Sequence, residues 1–392
     1  MNEAVIVSGA RTPIGSFNGS LSGISAPKLG SIAIKEAVRR AGIKPEDVSE
    51  VIMGCVLQGG LGQAPARQAA IEAGIPVSIP SMTVNKVCSS GLKAVMLAEL
   101  LIRAGDADIV VAGGMESMSN APYYLDKARQ GYRMGDGKIL DGMIYDGLWD
   151  PYNNTHMGNI GEMCAREHKI TREDQDRFAV LSYQKALEAI KQGYLKNEIA
   201  PVEIKDRKGN VTIVSEDEEP RKVNLEKART LKPVFEKDGT ITAFNASKIN
   251  DGAAAVVVTS KAKADELAIK PLARILSQAT YSQKPEWFTT APAYAIDAAI
   301  KKAGLKKNDI DVYEINEAFA VVSCAVNKIA GLDESKVNIS GGAIAFGHPI
   351  GASGAKLLIN LMTNLKRTGK RYGIVSLCNG GGEATAVVIE SL

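Results

Sequence analysis

Two cysteines and a histidine carry the residue types needed for nucleophilic chemistry: Cys88, Cys378 and His348. Cys88 lies in Asn85-Lys86-Val87-Cys88-Ser89-Ser90-Gly91, after a β-prone run (Met82 to Val87) and before a helical pattern of Leu92, Val95, Met96 and Leu100. A cysteine where a strand turns into a helix meets free backbone N–H groups and the positive end of the helix dipole. That setting is expected to favour a thiolate. Cys378 follows the apolar run Ile374-Val375-Ser376-Leu377 and precedes Asn379-Gly380-Gly381-Gly382, glycines that let backbone N–H groups approach a ligand closely. His348, one of three histidines, stands in Gly347-His348-Pro349-Ile350-Gly351-Ala352-Ser353-Gly354. A histidine is the expected base for a cysteine nucleophile. The bland alternative for either cysteine is a small buried hydrophobe. Asn316 in Ile315-Asn316-Glu317-Ala318-Phe319-Ala320 reads as a site residue at a strand end or as a helix N-cap. His156 reads as a loop residue and His168 as part of a solvated stretch, while Cys55, Cys164 and Cys324 read as core. The residues alone point to acyl transfer by a cysteine–histidine pair with a second cysteine, and a hydrolase stays open. No zinc-ligand spacing or dinucleotide-binding glycine pattern is visible.

The elements that position these residues follow a strand–helix rhythm. Ala4 to Ser8, Val48 to Leu57 and Asp108 to Ala112 read as strands, and Leu29 to Ala41 and Ala64 to Ala73 as helices, each stopped by a glycine. The expectation is an α/β layer on a mostly parallel sheet. The pattern then repeats. Ala33 to Lys44 resembles Ala295 to Lys306, Ser90-Gly91-Leu92-Lys93 is echoed by Ser353-Gly354-Ala355-Lys356, and Val110 to Gly114 by Val375 to Gly382. Three matches in one order imply two copies of one fold. A two-fold arrangement would bring the two Ser-Gly helix starts to one cleft. Between the copies, Ser119 to Asn245 is charged and rich in Asn, Gly and Tyr, which reads as an inserted loop domain. It has one clear helix, opened by Thr171 with Asp174, and a polar hairpin across Lys205 to Pro220.

Bulk properties exclude other classes. With 392 residues and 45% hydrophobic content, two or three domains can share a large core. A net charge of +3 gives no reason to expect nucleic acid or a membrane surface as partner. Five scattered cysteines fit reduced thiols in a cytoplasmic setting better than a disulfide framework. The N-terminal residues lead straight into a strand, without the pattern of a secretory leader, and no window has the length of a membrane helix.

The motifs around Cys88, Asn316, His348 and Cys378, in this order, together resemble the thiolases, and the likeness runs from Arg11-Thr12-Pro13 to the C-terminus. The resemblance implies a duplicated five-layer α-β-α-β-α core with an inserted loop domain. The N-terminal domain would be 1–118 with 246–270, the insert 119–245, and the C-terminal domain 271–392. His156-Met157-Gly158 and Asn245-Ala246-Ser247 are most similar to the short-chain, acetoacetyl-CoA group. Lys248, Phe288 and Glu383 depart from that group, which commonly has a small residue, a methionine and a small or neutral residue there.

The resemblance implies reversible condensation of two acetyl-CoA to acetoacetyl-CoA and CoA. Cys88 would carry the acetyl group, with His348 as its base and Cys378 as the base for the second substrate. Asn316, through a water, and His348 would hold the enolate oxygen; the backbone N–H groups of Cys88 and Gly380 would hold the tetrahedral oxyanion. His156, Met157, Arg221, Ser247, Phe288, Ala318 and Phe319 would contact the substrate or its CoA moiety. No cofactor is implied beyond CoA thioesters as substrates, and the family is usually dimeric or tetrameric. The alternatives are a longer-chain 3-ketoacyl-CoA thiolase and a non-catalytic acyl-CoA- or lipid-binding thiolase-like protein.

Overall fold

The computed structural model describes residues 2–228 and 230–392. The first half runs β1 (Ala4–Arg11), α1 (Ala26–Ala41), β2 (Glu50–Gly54), α2 (Pro65–Glu72), β3 (Ser81–Val84), α3 (Ser90–Ala104) and β4 (Ile109–Ser117). An insert carries α4 (Met157–His168) and α5 (Arg172–Lys191), and β5 (Asn250–Ser260) then returns to the sheet. The second half runs β6 (Ala273–Ser282), α6 (Ala291–Lys302), β7 (Val312–Ile315), α7 (Ala320–Ala330), α8 (Ser353–Thr368), β8 (Tyr372–Asn379) and β9 (Glu383–Ser391).

The strands are apolar on both faces because both faces are covered. Along β1, Val5 and Val7 enter one core with α1 and α2, while Ala4 and Ile6 enter another with α3 and α8. Along β8 and β9, Val375, Leu377, Val387 and Ile389 meet that same central core, and Ile374, Ala386 and Val388 face a third core with α6 and α7. The central core lines both sides of α3 and α8, so the three cores fill the four gaps of a five-layer α-β-α-β-α stack. The central helices show it in their burial. α8 is buried nearly all round from Ser353 to Leu365, whereas α1 keeps an exposed face with Lys35 and Arg39.

The duplication is visible in the strand order, β7-β8-β9-β6 joined through β1 to β5-β4-β2-β3. In each half the inner helix-connected pair is parallel (β2 with β4, β7 with β8), and the next two pairings are antiparallel. The halves meet over a short antiparallel contact, Val5 opposite Arg274 and Ile6 opposite Ala273. The sheet is therefore mixed rather than mostly parallel. A tight turn links β8 to β9, which forces antiparallel pairing, and β5 returns antiparallel to β4 after the insert.

The two Ser-Gly echoes are the starts of α3 and α8, and the helices touch there. A Cβ on Gly91 would lie 2.8 Å from the Gly351 carbonyl oxygen, and one on Gly354 would lie 2.3 Å from the Leu92 nitrogen. Only glycine permits this backbone approach. In the insert, α5 has the expected capping box, while the hairpin expected over Lys205 to Pro220 lies earlier, pairing Val202–Lys205 with Val211–Val214. The insert also holds a helix the sequence pattern did not disclose, α4, whose Gly158 and Gly161 weaken the helical signal. A buried Arg11 fastens the insert to β1, bonding Asp217 at 2.8 and 2.9 Å and Glu198 at 2.9 Å. Among the described residues no helix is long and apolar enough to cross a membrane.

Candidate active site

The chain leaves β3 at Val84, short of the expected Val87, because Asn85 takes over. Its side-chain oxygen accepts the Val87 N–H at 3.0 Å. Val87 is then held at φ 47°, a left-handed conformation that is an outlier for a β-branched residue. Ser90, the first residue of α3, secures this elbow by accepting from the Lys86 N–H at 2.8 Å and donating to the Val87 carbonyl at 2.6 Å. The elbow raises Cys88 at the mouth of the helix, and Cys88 keeps a partly exposed face.

His348 belongs to the second half, two residues before Ile350, whose apolar cluster Cys88 packs against. Gly347, at φ 98°, turns the chain, and Asn250 Oδ1 accepts the His348 backbone N–H at 3.0 Å. His348 Nδ1 lies 2.6 Å from Ser353 Oγ, and that hydroxyl has the Pro349 carbonyl at 2.9 Å. A hydroxyl has one hydrogen. Given to Pro349, it makes Oγ the acceptor for Nδ1–H and leaves Nε2 the unprotonated nitrogen, an acceptor. Asn316 Nδ2 sits 3.3 Å from that Nε2. Asn316 is not a helix cap, since α7 begins at Ala320 with Phe319 at its cap position. Its buried Oδ1 has no hydrogen-bond partner among the described residues.

Cys378 is buried near the end of β8. It lies close enough to Cys88 that the charge on one sulfur opposes ionisation of the other. The backbone N–H groups of Cys88 and Gly380 favour the charged form of the Cys88 sulfur. Ser89 Oγ donates to Asn379 Oδ1 at 2.9 Å, joining the two cysteine-bearing loops.

The protonation states differ from expectation. Burial pushes the Cys88 thiol up to about 12, the nearby Glu116 adds to this, and the two backbone N–H groups only partly offset it. Burial, with a contribution from the Lys356 charge, pushes His348 down to about 3. Desolvation thus opposes the thiolate that the helix start favours, and it opposes an imidazolium on His348 as well. Burial, followed by the charge of Cys88, also holds the Cys378 thiol well above its ordinary range.

Further residues form a wall leading away from the sulfurs. Met157 and Val87 flank Gly380, where an added Cβ would meet Val87 Cγ1 at 3.6 Å and Met157 Cε at 3.8 Å. His156 caps α4 by accepting from the Gly158 N–H at 3.0 Å and stacks on Phe235 at 4.8 Å. Phe235 meets Phe319 edge-on at 6.1 Å, and Ser247 donates its N–H to the Ala318 carbonyl at 3.0 Å. Phe288 is buried in the apolar core that also holds Cys378. Val87, Met157 and Gly380 open on a cavity of about 740 Å³. Arg221 is not brought into this group. It is exposed, pairs with Glu216 at 2.9 Å and lines a separate cavity of about 390 Å³. Lys248 turns its ammonium to the Ala243 and Ala246 carbonyls at 2.6 and 2.8 Å, and burial lowers it to about 8.

Sequence reasoning missed the residues that hold this group in place. Ser353 was in view only as part of an echo, and nothing local marked Asn250. Glu116 is the third. Its buried carboxylate takes the N–H groups of Val56, Leu57 and Gly351 at 3.0, 3.0 and 2.8 Å, tying the two halves together. That capture is also why β2 ends at Gly54 rather than at the expected Leu57.

Comparison with known proteins agrees with this geometry. The family model for the thiolase N-terminal domain matches residues 4–262, and that for the thiolase C-terminal domain matches residues 269–391. An acetyl-CoA acetyltransferase of Yarrowia lipolytica is 54% identical over 392 residues, covering 100% of this chain and 97% of the relative. One from Cupriavidus necator is 54% identical over 391 residues and covers 100% of both. The crystal structure of the Bacillus anthracis acetyl-CoA acetyltransferase superposes with a TM-score of 0.98 at 41% identity, covering 100% of this chain and 99% of that one. With both family models matched end to end and a duplicated fold that brings two cysteines and a histidine together, the chain belongs to the thiolase family.

Proposed function

We propose that the chain is an acetyl-CoA C-acetyltransferase that joins two acetyl-CoA molecules into acetoacetyl-CoA and CoA, and runs the reverse thiolysis. The observation that carries this reading is Cys378 close enough to Cys88 to feel its charge, together with a histidine whose unprotonated Nε2 is set by Ser353 and met by Asn316. One sulfur can hold an acyl group while the other handles a proton.

In the first half-reaction the Cys88 sulfur attacks the acetyl-CoA carbonyl and its proton passes to His348 Nε2. The oxyanion is held by the Cys88 and Gly380 backbone N–H groups, a kind of contact worth about 10²–10³ in rate. The intermediate collapses, and the departing CoA sulfur takes the Cys378 proton. This leaves acetyl-Cys88, a Cys378 thiolate and an imidazolium. In the second half-reaction the Cys378 thiolate removes an α-proton from a second acetyl-CoA. Burial, which keeps this thiol protonated at rest, also makes its thiolate a stronger base. The enolate oxygen is held by His348 and, through its amide, by Asn316. The carbanion attacks acetyl-Cys88, Cys88 leaves, and His348 returns its proton. Every proton is restored and no resident cofactor is needed.

His156, Met157, Ser247, Ala318, Phe319 and Phe288 are read as the substrate wall, and Arg221 as a contact for the nucleotide part of CoA. The chain is further read as a cytoplasmic homo-oligomer, a dimer or tetramer. Five free cysteines support the compartment. The exposed Met82 on edge strand β3, with Tyr123, Met134 and Ile139 exposed in the insert, supports the assembly. The reading is tested by thiolysis of acetoacetyl-CoA against a long-chain 3-ketoacyl-CoA. Faster turnover of the long chain would replace it with the degradative alternative, and no turnover of either with a binding protein.

A further inference from the structure

Glu383 is the first residue of β9 and sits opposite Asn379 on β8 and opposite Ser282 on β6. Both neighbours fix its carboxylate: Ser282 Oγ donates to Oε1 at 2.9 Å, and Asn379 Nδ2 is 3.3 Å from Oε2. The same Oε2 forms an ion pair with Lys86 Nζ across a sequence separation of 297 residues. Lys86 and Glu383 side chains are 19% and 30% exposed, so solvent screens this pair less than a surface one. Lys86 precedes the strained Val87 and lies two residues before Cys88; Glu383 lies five residues after Cys378. The anchored carboxylate in the second half thus grips the nucleophile's elbow in the first.

We propose that the Lys86–Glu383 pair is a positioning device that sets the Cys88 elbow against the Cys378 loop. This rests on the two-sulfur reaction above. A left-handed β-branched residue persists only where its surroundings over-determine it. The elbow has local ties through Asn85 and Ser90, but these fix its shape and not its place relative to Cys378. The cross-half ties are Lys86–Glu383 and those of Ser89, which donates to Asn379 Oδ1 and accepts from Thr385 Oγ1, both at 2.9 Å. Acylation uses Cys88 and His348 and tolerates a shift of the second cysteine. Condensation does not, because the acetyl carbonyl must meet a carbanion made by Cys378, and small misplacements in such a step are costly.

The experiment compares the two half-reactions. Acetylation of Cys88 by acetyl-CoA is followed by quenched intact mass, and condensation by acetoacetyl-CoA formation, in wild type, Glu383→Gln, Lys86→Met, the double variant and the charge-swapped Lys86→Glu/Glu383→Lys. The expected result is a fall of about 10-fold in condensation kcat for each single variant, with acetylation within about 3-fold of wild type. The double variant should be no worse than either single one, and the swap should recover part of the loss. Wild-type condensation in Glu383→Gln overturns the proposal. So does an equal loss in both half-reactions with a lowered melting temperature, which would make the pair a fold element only. Failure of the wild type to acetylate at all would instead count against the two-sulfur reaction.

Discussion

The helices α3 and α8 start alike and do different work. Each opens with Ser-Gly, and each glycine makes the close contact between them. The serines, in equivalent places, have diverged. Ser90 turns back onto its own loop and holds the elbow under Cys88. Ser353 turns to His348 and sets which ring nitrogen carries the proton. The duplication supplied one frame, and the loops running into it present Cys88 from one copy and His348 from the other.

The sharpest way to break this contrast is to remove the group each loop presents. Cys88→Ala should abolish acetyl-enzyme formation by intact mass and lower turnover by about 10⁴-fold or more. A labelled Cys88→Ala protein would move the nucleophile elsewhere. Cys378→Ala should still be acetylated while condensation falls by about 10²–10⁴-fold, the usual share of a general base. Normal condensation there would leave Cys378 a buried hydrophobe. Ser353→Ala frees the imidazole to take the other tautomer, and should lower the acetylation rate about 10²-fold with little change in KM. An unchanged rate would mean that packing alone orients the ring.

The next effect is smaller and tests the protonation states. With Cys88 at about 12 and His348 at about 3, the thiol is protonated and the imidazole neutral between those limits. Alkylation of Cys88 by iodoacetamide should therefore rise about tenfold per pH unit from 7 to 9, without a plateau, as the thiolate fraction grows. A plateau beginning below pH 7 would reveal a standing thiolate–imidazolium pair. Smallest is Ser90→Ala, which removes two hydrogen bonds from the elbow and should cost about 1 kcal/mol in a denaturant melt. If it instead matched Ser353→Ala in its effect on acetylation, the two serines would not have separate roles.

Much of this was legible because repeated local signals survive without tertiary context. The glycines after α1 and α6, at φ 70° and 71°, stop both helices in the same way. The Ser-Gly starts, the glycines beside Cys378 and His348, and the capping box at Thr171 are all short-range patterns. What stayed hidden depends on partners far along the chain. Desolvation of Cys88 comes from packing that no local motif encodes, so the helix start shows only the effect that favours the thiolate and not the one that opposes it. Strand direction was misjudged because a strand–helix rhythm does not show that β5 and β9 return antiparallel. Glu116 reaches Gly351, Asn250 reaches His348, and Glu383 reaches Lys86 only once the halves are assembled. Helix α4 was missed because two glycines and a histidine cap make a poor helical signature.

The glycine contact between α3 and α8 also bears on how such a chain could change over generations. Its close approaches are to backbone atoms, at the Gly351 oxygen on one side and the Leu92 nitrogen on the other. No neighbouring side chain can shrink to accommodate a substitution there. After a duplication, most positions in one copy are free to drift because the other retains the original. These two are not, since each copy's glycine makes room for the other copy's helix. The copies carry different residues beside that axis, Cys88 before one helix and His348 before the other, while the glycines of the axis are the same in both.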